Sequence, residues 1–356
     1  MTMELDQSRV EAFGERLLAM LNSGALALMT SVGHRTGLFD VMAQSPAASS
    51  AQIADWAGLQ ERYVREWLGA MVTGGFVEYD APSRTYRLPA EHAALLTRAA
   101  SPNNLAAIAQ FIPQLGQVED PVIHCFQHGG GVPYEQFTHF HRIMAEDSGQ
   151  TVVAALFDHI LPLVPGLSDQ LAAGIDVLDI GCGSGRAMNT LAEAFPASRF
   201  SGYDFSEQAI ANALQEATDK GLENVVFEVK EASQLNEIGR YDVITAFDAI
   251  HDQRDPARVL REIHTALRPD GVFLMQDIRA SSELHRNMDH PVAPLLYTVS
   301  CMHCTTVSLA QGGAGLGAMW GEEMALSMLA DAGFQRVEVK QLEHDFQNNY
   351  YLARKA

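Results

Sequence analysis

Residues 175–185, Ile-Asp-Val-Leu-Asp-Ile-Gly-Cys-Gly-Ser-Gly, constrain the fold more than any other stretch of this chain. The apolar residues Ile175, Val177, Leu178 and Ile180 read as a buried parallel strand. It runs into Gly181, Gly183 and Gly185, and a helical pattern begins at Arg186. Glycines at a strand-to-helix turn let the backbone bend sharply and approach a ligand closely. A dinucleotide fingerprint needs a glycine at its sixth position, where this chain has Arg186. Asp179, two residues ahead of the first glycine, would repel a pyrophosphate and suits a ligand with an ammonium or sulfonium group. The spacing points to S-adenosylmethionine (SAM) rather than NAD.

Asp179-x-Gly181-x-Gly183-x-Gly185 resembles the first motif of class I SAM-dependent methyltransferases, and later landmarks follow in that family's order across residues 175–356. A second strand, 199–204, ends on Asp204, and an acid there can accept both ribose hydroxyls. A third strand, 225–229, runs into Lys230, Glu231 and Ala232, where the family places an acid and a backbone N–H against adenine. A fourth strand, 241–247, leads to Asp248, His251 and Asp252; a helix, 256–267, the turn 268–271 and a fifth strand, 272–277, follow. Strands over 337–342 and 350–354 complete the pattern, the last antiparallel. The resemblance implies an α/β, doubly wound, Rossmann-like seven-stranded sheet. It also implies a cofactor site of Asp179, Gly181, Gly183, Gly185, Asp204, Phe205, Glu231, Ala232 and Phe247.

A chain of 356 residues suits two domains. The net charge of −20, with no Lys/Arg cluster, argues against a nucleic-acid partner. The N-terminus lacks the basic and apolar regions of a signal peptide, and no apolar run reaches the ~18 residues of a membrane span. Four cysteines in so long a chain read as free thiols in a reducing cytoplasm.

Residues 1–100 read as a winged-helix-like domain: helical over 8–43, a short helix from Ser50 closed by Gly58, and an amphipathic helix from Glu61 closed by Gly74 and Gly75. A hairpin, 76–79 with 85–88, completes it around Asp80-Ala-Pro-Ser. That order invites a DNA-binding reading. The second helix, however, carries Glu61, Arg62, Arg65 and Glu66, which sum to zero, and its Tyr63, Val64, Trp67, Leu68 and Met71 suggest packing. The block resembles the N-terminal dimerisation module of small-molecule methyltransferases, which implies a homodimer. Residues 101–170 read as a helical connector or lid, broken by prolines and by Gly129-Gly130-Gly131, and 171–356 as the SAM-binding domain. In the family the acceptor pocket is built largely from the N-terminal module and from insertions such as 279–318.

Methyl transfer from a sulfonium is an in-line displacement with an already activated donor, so the protein must align the partners, exclude water and deprotonate a neutral acceptor. His251 is the best-placed base, with Asp252 to orient it. The pair reads equally as the start of a helix, with Asp252 or Asp255 as a cap before Pro256. Cys301-Met-His303-Cys304 has zinc-like spacing but no second pair to complete four ligands, so no metal is expected. Cys301, His303 and Cys304, with His124, His128 and Tyr134, are candidates to line the acceptor pocket. The chain as a whole is similar to a branch that includes thiol methyltransferases, which implies a sulfhydryl acceptor. An O- or N-methyltransferase, or a SAM-responsive winged-helix regulator, are the alternatives.

Overall fold

The computed structural model describes residues 5–355, which form two compact units divided between Gly116 and Gln117. The division falls inside the stretch read from sequence as a connector.

The first unit opens with a helix, Gln7–Thr36. Asp6 caps it by accepting from the Ser8 and Arg9 N–H groups, and Gly37, at φ +75°, closes it in the left-handed conformation. Helices Ser50–Ala57 and Glu61–Thr73 and the hairpin of β1 (Glu78–Asp80) with β2 (Thr85–Arg87) give the helix–turn–helix–wing order. Ser49 and Gln52 form a capping box at the first of these helices. Phe39, Ile53, Val64, Trp67, Leu68 and Met71 are the core, and the Trp67 indole N–H donates to the Met29 carbonyl at 2.8 Å. A Cβ at Gly33 would stand 2.6 Å from the Trp67 ring and 2.7 Å from that of Phe39, so only glycine lets the long helix sit this close. Tyr63, grouped by sequence with the packing residues, is instead 79% exposed, because it lies off the face that carries Val64, Trp67 and Met71.

Within the first unit, most of the long helix is exposed among the described residues. Val10, Phe13, Leu17, Leu18, Met20 and Leu21 are all exposed. It is also one helix, among the described residues, long and apolar enough to cross a membrane by length and composition.

The second unit is a seven-stranded sheet in the order β5-β4-β3-β6-β7-β9-β8. Its strands are β3 (Asp176–Ile180), β4 (Arg199–Asp204), β5 (Val225–Val229), β6 (Tyr241–Phe247), β7 (Leu267–Ile278), β8 (Arg336–Leu342) and β9 (Asp345–Arg354). The first five are parallel, and β9 is antiparallel to both β7 and β8. The turn expected at 268–271 is absorbed into β7, with a register irregularity against β6 between Tyr241 and Val243. β9 begins at Asp345, earlier than expected, because residues from Asn348 onward already pair with β7. Apolar side chains on the two faces of the sheet form two cores: one includes Met188, Leu191, Phe200 and Phe227, the other Ile244, Leu260, Ile263 and Phe273. The strand order reverses at β3, so the connections that follow the paired strands β3 and β6 run in opposite directions and leave a crevice beyond their C-terminal ends.

Candidate functional site

The glycine turn that follows β3 holds three left-handed residues, with φ of +67° at Gly181, +52° at Gly183 and +68° at Gly185. Their roles differ. A Cβ at Gly181 would lie 2.5 Å from that of Ala249, and one at Gly185 would strike Phe227 at 2.5 Å, so these two glycines serve close packing. A Cβ at Gly183 would meet nothing within 4 Å, so this backbone faces open space. Gly185 precedes the helix Arg186–Ala194, and Cys182 is partly buried against the core.

Asp204, at the end of β4, is fixed by this turn. Its Oδ2 accepts the Gly183 N–H at 2.9 Å and its Oδ1 the Ser206 N–H at 2.8 Å. Each carboxylate oxygen keeps a lone pair for a further donor. Burial raises its pKa, and the N–H groups of Ser206 and Gly183 oppose that. Asp179 is buried beneath, accepting from Thr245 Oγ1 at 2.7 Å. Burial pushes its carboxyl up to about 7, despite the Thr245 hydrogen bond and with the Asp204 charge adding to the rise.

Gly181, Asp204, Phe205, Glu231 and Ala232 border one cleft of about 320 Å³, open solvent included, together with Tyr203, Lys230, Asp252, Gln253, Arg254 and Gln311. The cleft joins five residues expected to bind cofactor with one expected to be catalytic, Asp252. Phe247 packs against the core and does not border it.

Behind Asp252 is a buried polar cluster. His251 Nδ1 lies 2.7 Å from Asp277 Oδ1, which also accepts the Trp320 indole N–H at 3.0 Å. His251 Nε2 lies 3.2 Å from Asp252 Oδ1. Burial opposes charging this imidazole, but the Asp277 and Asp252 carboxylates outweigh it and hold its pKa well above the usual histidine value. Cys304 adjoins the pair, its thiol pushed up to about 12 by burial and by the Asp252 charge. His303 is fully buried, stacked on Phe140 at 3.6 Å between centroids, with its Nδ1 3.8 Å from Asp252 Oδ2. Burial lowers its pKa to about 4, so it is neutral.

Tyr134 links the cluster to the cleft, packing edge-on against His303 and against Phe205, at centroid distances of 5.6 and 5.2 Å. His141 Nε2 is 2.9 Å from Ser206 Oγ, which ties the helix Phe140–Ser148 to the end of β4. The remaining expected acceptor residues lie apart from this group. His124 and His128 are exposed and stack on each other on the helix Glu119–His128. Cys301 is exposed while Cys304 is buried, so the two cysteines do not share a ligand position. The π-helical turn Ser300–Cys304 turns them to opposite environments.

Sequence reasoning assigned no role to Asp277, Trp320, Gln253, Arg254 or Gln311. Asp277 was accessible to it, since it sits near the C-terminal end of a parallel strand next to the crevice. Trp320 carries no local signal, because only the fold brings it to Asp277.

Residues 24–98 match the model of the Rv2258c-like winged helix-turn-helix domain, and residues 171–339 match that of a methyltransferase domain. A malonyl-[acyl-carrier protein] O-methyltransferase of Bacillus cereus is 31% identical over 115 residues, 32% of this chain and 42% of that protein. The chain thus matches less than half the length of that curated relative. Among solved structures, the mitomycin 7-O-methyltransferase superimposes with a TM-score of 0.70 at 21% identity, covering 98% of this chain and all of that one. Human N-acetylserotonin methyltransferase in complex with SAM gives a TM-score of 0.67 at 17% identity, covering 100% of this chain and 99% of that one.

Proposed function

Because the chain belongs to the class I methyltransferases with an N-terminal winged-helix domain, we propose that it transfers a methyl group from SAM to a hydroxyl of a small molecule. The observation that carries this reading is the cleft that brings Asp204, the glycine turn and Asp252 together. Its residues fit the cofactor. Asp204 would offer its free lone pairs to the ribose hydroxyls, the open side of Gly183 would admit the ligand, and Glu231 and Ala232, which border the cleft, would meet the adenine. Asp179, once ionised, would supply negative charge for the ammonium or sulfonium end. The bound cofactor supplies an activated methyl group, and the protein's task is alignment and removal of the acceptor's proton.

Asp252 is the member of the catalytic pair that borders the cleft, and His251 stands behind it, oriented by Asp277. The acceptor's proton passes to this pair, with the carboxylate nearest the acceptor and the imidazole holding it in place. Oxygen is preferred to the sulfur implied by the whole-chain resemblance, since the Bacillus cereus relative and the mitomycin enzyme are both named O-methyltransferases. The test is an acceptor screen: purified protein, SAM and panels of phenols, thiols and amines, read by release of S-adenosylhomocysteine. Turnover confined to thiols would replace the oxygen assignment, and no turnover with any panel, despite SAM binding, would remove the enzymatic one.

A homodimer and a cytoplasmic setting belong to the same proposal. The exposed apolar face of Gln7–Thr36 supplies a dimer surface, and the four free cysteines suit a reducing compartment. On the helix Glu61–Thr73, Arg62 pairs with Glu66 and Arg65 with Glu61, which leaves no free basic face for DNA and disfavours the regulator.

A further inference from the structure

The methyl-transfer reading uses the side of Asp252 that meets the cleft and leaves the cluster behind it without a full account. There, one donor atom each from His251, Asp252 and Cys304 lie within 4.8 Å of one another. Two carboxylates, Asp252 and Asp277, face the single His251 imidazole. We propose that His251, Asp252 and Cys304 bind a divalent ion of the zinc type, with a coordination position left open toward the cleft.

The donor chemistry selects the ion. An imidazole, a carboxylate and a thiolate form a borderline-soft set that suits zinc or cobalt and not magnesium or calcium. The surroundings of His251 are those of a metal-bound histidine. Its Nδ1 is held by Asp277 at 2.7 Å, which leaves Nε2 as the ligand atom, and Trp320 steadies that carboxylate at 3.0 Å. His303 adds an independent sign, because neither buried ring nitrogen has a hydrogen-bond partner. Its Nδ1, 3.8 Å from Asp252 Oδ2, is placed to hold a water bound at the open position. In a tetrahedral site with ordinary bond lengths, ligand atoms stand about 3.3–3.8 Å apart, so the widest gap must close by about an ångström. Three protein ligands and one open position match catalytic rather than closed structural zinc sites. Cys304 enters as the thiolate and His251 as the neutral imidazole with its remaining proton on Nδ1, so binding releases the Cys304 thiol proton and the His251 Nε2 proton to solvent.

The site is tested with cobalt(II) as probe, titrated into full-length protein stripped with a chelator. One equivalent should bind, with the near-ultraviolet charge-transfer band of a cobalt thiolate. Cys304→Ser should abolish the band, and Cys301→Ser should leave it intact. Trp320→Phe should weaken cobalt binding roughly 10–100-fold, as loss of an outer-shell partner does. Elemental analysis of the untreated protein gives a second readout that needs no variant to fold, with about one zinc per chain expected. Absence of saturable one-equivalent binding, cobalt bound without a thiolate band, or a band that survives Cys304→Ser would each overturn the site. SAM titration of the stripped protein reads donor binding separately, so failure of the metal site and failure of the methyltransferase reading are distinguishable.

Discussion

Asp277 and His251 meet through a 2.7 Å contact between two side chains that are almost fully buried, one from the end of β7 and one from the turn after β6. The bond joins neighbouring parallel strands at their C-terminal ends, beneath the cleft. Asp277→Asn should therefore destabilise the fold as well as impair turnover. Breaking one partner of a buried charge pair costs about 3–5 kcal/mol. Urea denaturation at pH 7 measures this, and a midpoint equal to wild type would mean that the contact contributes nothing.

Asp204→Ala should weaken SAM binding without unfolding the protein. The variant loses the carboxylate that would take the ribose hydroxyls, each charge-assisted hydrogen bond being worth about 1.5–3 kcal/mol. The glycine turn also loses an anchor, since the Gly183 N–H donates to that carboxylate. Calorimetry should find affinity lower by at least roughly tenfold. Unchanged affinity would move the ribose site elsewhere.

Asp179 makes SAM affinity depend on pH. Its carboxyl is raised by burial to about 7 from an ordinary 3.8, so the ligand-free site is largely protonated below neutrality. A cationic ligand favours the ionised form, so affinity should rise with pH up to about 7 and then level off. Stability of the ligand-free protein runs the other way. The folded chain holds a proton that the unfolded chain releases, so this group's contribution is fully present below about 3.8 and is lost as pH rises through about 7. Thr245→Val, which removes the hydroxyl that donates to Asp179, should shift the affinity profile to higher pH. A flat profile in the wild-type protein would show that the carboxylate takes no part.

The helix Gln7–Thr36 predicts the assembly. Leu17 and Leu21, one turn apart, are 41% and 64% exposed within a single chain. The wild-type protein should be a dimer by light scattering at micromolar concentration, and Leu17→Arg with Leu21→Arg a folded monomer. A wild-type monomer would contradict the dimer surface.

Much of the site was legible because class I folds place ligand contacts at strand ends, and strand ends can be read from short patterns. The apolar run before Gly181 and the acids at Asp179 and Asp204 are local signals, and the fold brings them together as their order implies. Phe247 ends β6, where the family places a contact, and packs partly buried against the core. The different environments of Cys301 and Cys304 were not legible, because spacing does not state helical geometry; a π-helical turn leaves one exposed and the other buried.

The sequence by itself determined the winged helix-turn-helix order and the strands that carry the glycine turn, because periodicity, capping and glycine punctuation act over a few residues. It did not determine the charge state of His251 or the environment of Asp252. Those depend on Asp277 and Trp320, 26 and 69 residues further along the chain from His251, meeting it in a pocket that excludes water. Burial and opposing charge are properties of that pocket, and only the tertiary structure creates it.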